Sequence, residues 1–337
     1  MKAVGYTTTG PIDRDDALID LEMAGPRATG HDLLVRVQAI SVNPVDYKIR
    51  IRRQPEGGVP GVLGWDAVGE VVEVGDEATM FGPGDMVWYA GVINRPGTNA
   101  EFHLVDERIV GRKPATASLA EAAALPLTTL TAYEMLFDRL RVTDPVPGAA
   151  PAVLIIGGSG GVGSIAIQLL RALTDLTVIA TASRPETRAW VTELGAHHVL
   201  DHSQPLPAQI EAIGLGQPGY VFSTNRTELY VRQIADLISP QGRFGLIDDP
   251  ASLDIMPLKP KSVSIHWELM FTRPLFRTAD MGRQGQILNE VAALLDAGKI
   301  KSTATEMLGT ICAANLKRAH KTLESGRARG KLVLEGF

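Results

Sequence analysis

Short apolar runs closed by turn residues dominate the first third of the chain. Leu33-Leu34-Val35-Arg36-Val37-Gln38-Ala39 and Val68-Gly69-Glu70-Val71-Val72-Glu73-Val74 read as strands, the second stopped by Gly75-Asp76. The turn cluster Phe81-Gly82-Pro83-Gly84-Asp85 leads into Met86-Val87-Trp88-Tyr89, and units at this spacing predict a small, mainly antiparallel barrel or sandwich. The period changes near residue 118. There Ser118-Leu119-Ala120-Glu121 has the form of a capping box opening an Ala-rich helix, and a second helix is predicted over Thr129–Leu140. Strands and helices then alternate: strand 152–156, helix 162–173, strand 176–182, helix 185–194, strand 198–200, helix 226–238 and strand 243–247. That alternation predicts an α/β unit with a parallel, doubly wound sheet. A strand near 262–267, an amphipathic helix near 284–297 and a strand from Gly330 to Glu335 follow, and no segment repeats.

Composition narrows the function classes. With 337 residues, 45% hydrophobic and 21% charged, the chain buries a sizeable core and divides into two domains. Its 33 basic and 38 acidic residues give a net charge of −5, which offers no basic footprint for nucleic acid. No run approaches the roughly 18 apolar residues of a membrane helix, and the start MKAVGYTTTG lacks a signal-peptide pattern. The expectation is a soluble, cytoplasmic protein with neither nucleic acid nor membrane as partner. Cys312 is the only cysteine, so no intrachain disulfide and no cysteine-based structural zinc site can form. In the run Ile311-Cys312-Ala313-Ala314 it reads as a small apolar residue without a chemical role.

The strongest chemical signal is Ala152-Val153-Leu154-Ile155-Ile156-Gly157-Gly158-Ser159-Gly160-Gly161-Val162-Gly163. Gly158, Gly160 and Gly163 hold the three positions of G-x-G-x-x-G, after an apolar strand and before the helix Ser164-Ile165-Ala166-Ile167-Gln168-Leu169-Leu170. Glycines there permit a tight turn, let backbone approach a pyrophosphate and let helix and strand pack closely, while the helix N-terminus offers unpaired N–H groups to the anion. Gly158 to Gly163, including Ser159, Gly161 and Val162, are therefore the predicted dinucleotide loop.

The next strand, Thr177-Val178-Ile179-Ala180-Thr181-Ala182, ends where an adenosine ribose is expected, and an Asp or Glu there would favour NAD. Instead it runs into Ser183-Arg184, with Arg188 one turn on. A hydroxyl and two guanidinium groups predict NADP(H), through charge-assisted bonds to a 2′-phosphate. The alternative has the arginines coating a solvated helix start and Glu186 binding the ribose of NAD. No Tyr is followed by Lys four residues later, and the glycine loop comes late, which disfavours a short-chain dehydrogenase. None of the seven histidines forms H-E-x-x-H.

Taken together these segments resemble the medium-chain dehydrogenase/reductase superfamily, specifically its zinc-independent quinone oxidoreductase branch and the subgroup labelled zinc-type alcohol dehydrogenase-like. The resemblance is carried by Ser41-Val42-Asn43-Pro44-Val45-Asp46, Gly64-Trp65-Asp66-Ala67-Val68-Gly69, the loop Gly157 to Gly163 and Asp248-Asp249-Pro250. Trp267-Glu268-Leu269-Met270-Phe271-Thr272-Arg273 and Gly330-Lys331-Leu332-Val333-Leu334-Glu335-Gly336-Phe337 extend it end to end. It implies a GroES-like catalytic domain over 1–125, completed by 273–337, and a Rossmann NADP-binding domain over 126–272. Zinc members of the superfamily place a Cys in the first segment, Gly-His-Glu in the second and a third ligand at the entry to the nucleotide domain. Asn43, Trp65 and Leu125-Pro126-Leu127-Thr128 stand there instead, so no metal is expected.

The resemblance also implies roles. Asn43 and Asp46 would line the nicotinamide and substrate side, with Tyr47 as a wall or hydrogen-bond donor and Trp65 as an apolar wall for a flat conjugated acceptor, or else core packing. Thr131 would contact the nicotinamide region, and Phe244, Gly245 and Leu246 would pack by its ring. Lys331 would face the cofactor phosphates. His202 falls where some relatives use Tyr beside the 2′-phosphate. The expected activity is NADPH-dependent hydride transfer to quinones or α,β-unsaturated carbonyls in a homodimer paired through Ser262 to His266. A zinc alcohol dehydrogenase and a non-catalytic NADPH-binding protein remain as alternatives.

Overall fold

The computed structural model describes all 337 residues, which form two units: Met1–Leu130 with Phe271–Phe337, and Thr131–Met270. Against the expected boundaries of 125 and 272, the chain passes from one unit to the other at 130 and 270. No helix is long and apolar enough to cross a membrane.

The first unit is built on the strand Asp32–Val42, which spans eleven residues, the strand predicted over 33–39 with one more at its start and three more at its end. One edge of it pairs antiparallel with Asp66–Val74. The other edge is long enough for two partners in succession, Phe102–Asp106 against residues 32–36 and Lys331–Glu335 against residues 39–42. The sheet continues through Met86–Tyr89 and Gly111–Arg112 on one side and through Ala304–Met307, a parallel neighbour of Lys331–Glu335, on the other. Two helices that the pattern did not predict flank it, Pro44–Arg52 and Ala313–Glu324. Register sets the chemistry here: Ser41 pairs with Asp66 and Val42 with Leu332, so Asn43 and Lys331, each the next residue along, come beside Asp66.

The second unit holds the expected parallel sheet, six strands in the spatial order His198–Leu200, Thr177–Thr181, Ala150–Ile156, Pro218–Ser223, Arg243–Leu246, Ser264–Trp267. One face buries Ala152, Leu154, Ile156, Ile179, Val221, Phe244 and Leu246 against Leu206, Ile210, Val231, Ile234 and Leu237 of the helices Leu206–Ile213 and Thr227–Leu237. Side chains alternate across a strand, so Val153, Ile155, Val178, Ala180 and Phe222 fill the opposite face, all fully buried. The sheet is thus covered on both faces, as a parallel sheet requires.

Two elements of this unit departed from the expected pattern. The helix Leu206–Ile213 and the strand Pro218–Ser223 lie where no element was assigned. Moreover, the helix predicted over 129–140 is α-helical only from Pro126 to Tyr133 and continues as a π-helix through Glu134–Arg139. That wider turn packs Met135 on Gly245, where an added Cβ would lie 2.2 Å from Met135 Sδ.

Candidate functional site

In the first unit two of the predicted residues, Asn43 and Lys331, converge on Asp66, which is wholly buried and which the sequence reading gave no role. Its Oδ2 accepts from Ser41 Oγ at 2.7 Å, Asn43 Nδ2 at 2.7 Å and Lys331 Nζ at 3.0 Å. Its Oδ1 accepts from the backbone N–H of Leu127 at 2.7 Å. Lys331, 3% exposed, gives its other two protons to Val42 O at 3.0 Å and Asn43 Oδ1. All three donors of this ammonium are consumed, and this corrects the expectation that Lys331 faces cofactor phosphates. Lys331 is instead the countercharge of a buried carboxylate and the clasp between two strands.

Asn43 ends the strand Asp32–Val42 and caps the helix Pro44–Arg52, whose N1 proline needs no hydrogen-bond partner. Asp46 reaches back from that helix to accept the Asn43 N–H at 2.6 Å. Burial pushes its carboxyl up to about 7, while the Asn43 N–H and the Lys331 charge oppose that shift and Asp66 adds to it. Tyr47, one residue on, is half-buried and its hydroxyl has no partner in the chain. Trp65 is 1% exposed, donates its indole N–H to Val92 O at 3.1 Å and stacks edge-on with Phe271 at 6.1 Å between centroids. Of the two expected roles, core packing is the one this geometry realises.

A zinc ion does not fit this group. Its would-be ligand positions carry an amide already bonded on both ends, a buried indole and the apolar turn at Leu125–Leu127, and an ammonium stands in the middle. Zinc sites of enzymes are built from thiolate, imidazole and carboxylate, and no cluster of three or more such side chains exists anywhere in the chain.

In the second unit the strand Ala150–Ile156 ends at Gly157 with φ +82°, a left-handed turn that favours glycine. Gly157 N–H donates to Thr181 Oγ1 at 3.0 Å and Gly158 N–H to Thr181 O at 3.2 Å, which ties the loop to the neighbouring strand. Gly163 permits close packing of helix on loop, since a Cβ there would lie 2.4 Å from Gly157 O. Gly160 caps the helix Gly161–Leu173 with no side chain covering the helix N-terminus. Ser159, Gly160, Gly161 and Val162 are partly exposed around it. Open backbone amides on a glycine turn at the carboxyl end of a parallel sheet fit a dinucleotide pyrophosphate.

Ser183 and Arg184 follow the strand Thr177–Thr181, both partly exposed, and Arg184 Nε pairs with Glu186 at 3.2 Å. Arg188 takes a different role from the one expected. It donates to Ala182 O at 3.2 Å and Val199 O at 3.1 Å, so it staples two strand ends together. His202 lies just past the strand His198–Leu200. Burial holds its imidazole below the ordinary range; the Asp201 charge opposes this, and the Arg184 and Arg226 charges deepen it. Arg226, which the sequence reading missed, follows the strand it also missed, Pro218–Ser223. Phe244 and Leu246 point into the core on the face described above, so their side chains cannot lie by a nicotinamide ring. Gly245 faces Met135, and Thr131 is 6% exposed in the helix Pro126–Tyr133.

Comparison with known proteins places this architecture. A family model described as alcohol dehydrogenase GroES-like domain matches residues 29–132, and one described as zinc-binding dehydrogenase matches residues 194–334. A zinc-type alcohol dehydrogenase-like protein of Staphylococcus aureus (strain COL) is 40% identical over 336 residues, 99% of each chain. A Rhizobium etli CFN 42 structure, described as a zinc-dependent alcohol dehydrogenase protein, is 62% identical with a TM-score of 0.99 over 100% of this chain and 98% of the other. A quinone oxidoreductase structure from Pseudomonas syringae pv. Tomato DC3000 is 26% identical with a TM-score of 0.82, covering 99% of both chains. With the same two units in the same order and a 40% identical relative along its whole length, the chain belongs to the medium-chain dehydrogenase/reductase superfamily of oxidoreductases.

Proposed function

We propose that the protein is an NADPH-dependent, zinc-independent reductase of quinones or α,β-unsaturated carbonyls. The observation that carries this reading is that Asn43, at one would-be zinc-ligand position, is tied into a knot with Asp66 and Lys331, while the buried Trp65 and the Leu125–Leu127 turn occupy the other two. Oxidising a simple alcohol proceeds through a localised alkoxide that a Lewis acid would stabilise before hydride leaves, and this donor set does not hold one. A quinone or enone spreads the arriving charge over its conjugated system and needs only hydrogen-bond donors at the oxygen. The quinone oxidoreductase among the similar structures supports the same choice.

The glycine loop and the N-terminus of the helix Gly161–Leu173 would hold the pyrophosphate, and Ser183 and Arg184 the 2′-phosphate. When bound, NADPH supplies the hydride. Among the first-unit residues, Asn43 has its amide committed to Asp66 and Lys331, whereas the Tyr47 hydroxyl is uncommitted. Tyr47 would donate to the oxygen on which charge develops, and solvent would complete its protonation. We also propose a homodimer, because Ser264–Trp267 is an outermost strand with an exposed Trp267, and pairing two copies closes such an edge.

The test is NADPH oxidation with 1,4-benzoquinone, 9,10-phenanthrenequinone or a 2-alkenal, run beside NADP reduction by ethanol. Turnover with the conjugated acceptors, negligible turnover with ethanol and a fall in kcat for Tyr47→Phe on the order of tenfold or more are expected. Alcohol turnover, or cofactor binding without turnover across the acceptor panel, overturns the proposal.

A further inference from the structure

The helix Pro44–Arg52 carries Tyr47, yet it buries only Asp46, Ile49 and Arg50, so a single fully buried apolar side chain packs it against the rest of its unit. Directional bonds hold it instead. Its first turn is fixed through Asn43 and Asp46, as described above. Its last turn is fixed by Arg50, which is 1% exposed and donates from all three guanidinium nitrogens: Nε to His320 Nδ1 at 3.3 Å, Nη1 to Gly10 O at 2.5 Å and Nη2 to Glu324. His320 is wholly buried, and burial together with the Arg50 charge keeps its imidazole neutral and able to accept. These acceptors come from two distant segments, the helix Ala313–Glu324 and the loop at Gly10. Both segments are tied down without Arg50. Lys317 donates to Asp15 O and Lys321 pairs with Asp13 at 3.2 Å, which joins that helix to that loop, and Gln54 bonds Thr7 O at 2.8 Å and Thr9 N–H at 3.1 Å. A planar guanidinium spread over three fixed acceptors defines an orientation that apolar contact alone would leave loose.

We propose that Arg50 is a positioning residue for the reduction: it sets the rotation of the helix Pro44–Arg52 about its own axis and so holds the Tyr47 hydroxyl in place for the acceptor oxygen. The proposal rests on the reading of Tyr47 as donor given above and adds a residue that reading does not use. Tyr47 lies one helical turn before Arg50, half-buried at the border of the face that Asp46, Ile49 and Arg50 bury. A helix backbone has a radius of about 2.3 Å and a tyrosine hydroxyl lies roughly 6 Å beyond it, so a rotation of about 7° shifts the oxygen by about 1 Å. A misplacement of that size costs on the order of a hundredfold in rate. Ile49 alone resists such a rotation weakly, because apolar contact is non-directional whereas a hydrogen bond weakens steeply as it bends. The Arg50 guanidinium is itself buried and committed to the chain, so its effect on the reaction passes through Tyr47.

The test combines kinetics with NADPH and 9,10-phenanthrenequinone for Arg50→Met, Tyr47→Phe and the double variant with amide hydrogen exchange of the cofactor-free proteins. Arg50→Met is expected to lower kcat on the order of tenfold or more while NADPH affinity stays within about twofold. Exchange should quicken in residues 44–53 while the strand Asp32–Val42 keeps its protection. In the Tyr47→Phe background the same substitution should change kcat by less than about twofold, because no hydroxyl remains to be misplaced. Should Arg50→Met fail to fold, Glu324→Gln removes the charge of one partner at a partly exposed position and is expected to show the same coupling to Tyr47 with a several-fold fall in kcat. Unchanged kcat in the Arg50 or Glu324 variant, losses that multiply in the double variant, or faster exchange spread evenly over Met1–Leu130 refute positioning and leave the Tyr47 reading standing. Unchanged kcat in Tyr47→Phe removes that reading, and the role of Arg50 with it.

Discussion

Replacing Lys331 by Met keeps the length and apolar character of the side chain and removes only the ammonium. Asp66 would then retain Ser41, Asn43 and Leu127 as donors but lose its only countercharge, inside a strand pair where it has no access to water. Removing one partner of a buried ion pair costs about 3–5 kcal/mol, because the remaining charge stays desolvated. Val42 O and Asn43 Oδ1 lose their donor as well. A unit of roughly 200 residues loses about 2–4 °C of Tm per kcal/mol, so a drop on the order of 10 °C is expected by differential scanning fluorimetry. Asp66→Asn in the same background removes the stranded charge and should recover part of the loss, a coupling that a double-mutant cycle isolates. NADPH affinity of the folded Lys331→Met protein should stay within about twofold, less than the loss of one charge-assisted bond would cause. Unchanged stability with a tenfold weaker NADPH complex would refute this reasoning and restore Lys331 to the phosphates.

Asp46 makes stability fall as pH rises. Its carboxyl titrates near 7 in the folded chain against 3.8 ordinarily, so its contribution is fully present below about pH 4 and is lost as pH climbs through 7. Asp46→Asn should flatten the pH dependence of the unfolding free energy over that window by up to roughly 4 kcal/mol, and parallel curves for the two proteins would refute the assignment. Metal analysis should find well under one zinc per chain, with chelators leaving activity intact; stoichiometric zinc lost together with activity overturns the zinc-free reading. Light scattering should give twice the chain mass at micromolar concentration, and a monomer mass there refutes edge pairing through Ser264–Trp267.

The sequence made the second unit legible wherever a strand or helix carried its own punctuation. The glycine loop, the strand Thr177–Thr181 and the helix start at Pro185 are examples. Pro218–Ser223 escaped because all six of its residues are buried, so it shows no polar alternation, and because Pro218 and Gly219 at its head look like a turn. With that strand unseen, Arg226 had no place at a sheet edge and could not be linked to His202. The helix Leu206–Ile213 was hidden by Pro205 and Pro207, which are acceptable only because they fall at its cap and first turn. In the first unit the motif segments marked Asn43 and Asp46 as lining the substrate side and Lys331 as a phosphate contact, and gave Asp66 no role of its own. What they form together is decided by pairing register between strands nearly three hundred residues apart, and no local pattern encodes it.

That separation bears on how the chain is made. Residues 131–270 are contiguous and can reach their native contacts while the ribosome is still at work, as domains of this size do. The strand Asp32–Val42 has to wait. The second half of one of its edges stays open until Lys331–Glu335 is synthesised and slots between it and Ala304–Met307, 289 residues behind the Val42 carbonyl that Lys331 finally claims. Until then a nascent chain carries an unpaired strand edge beside a buried-type carboxylate with no cation near it, and long-range closure of this kind is slow. The interval between emergence of the first strand and arrival of the last is when this edge is open to pairing with another chain.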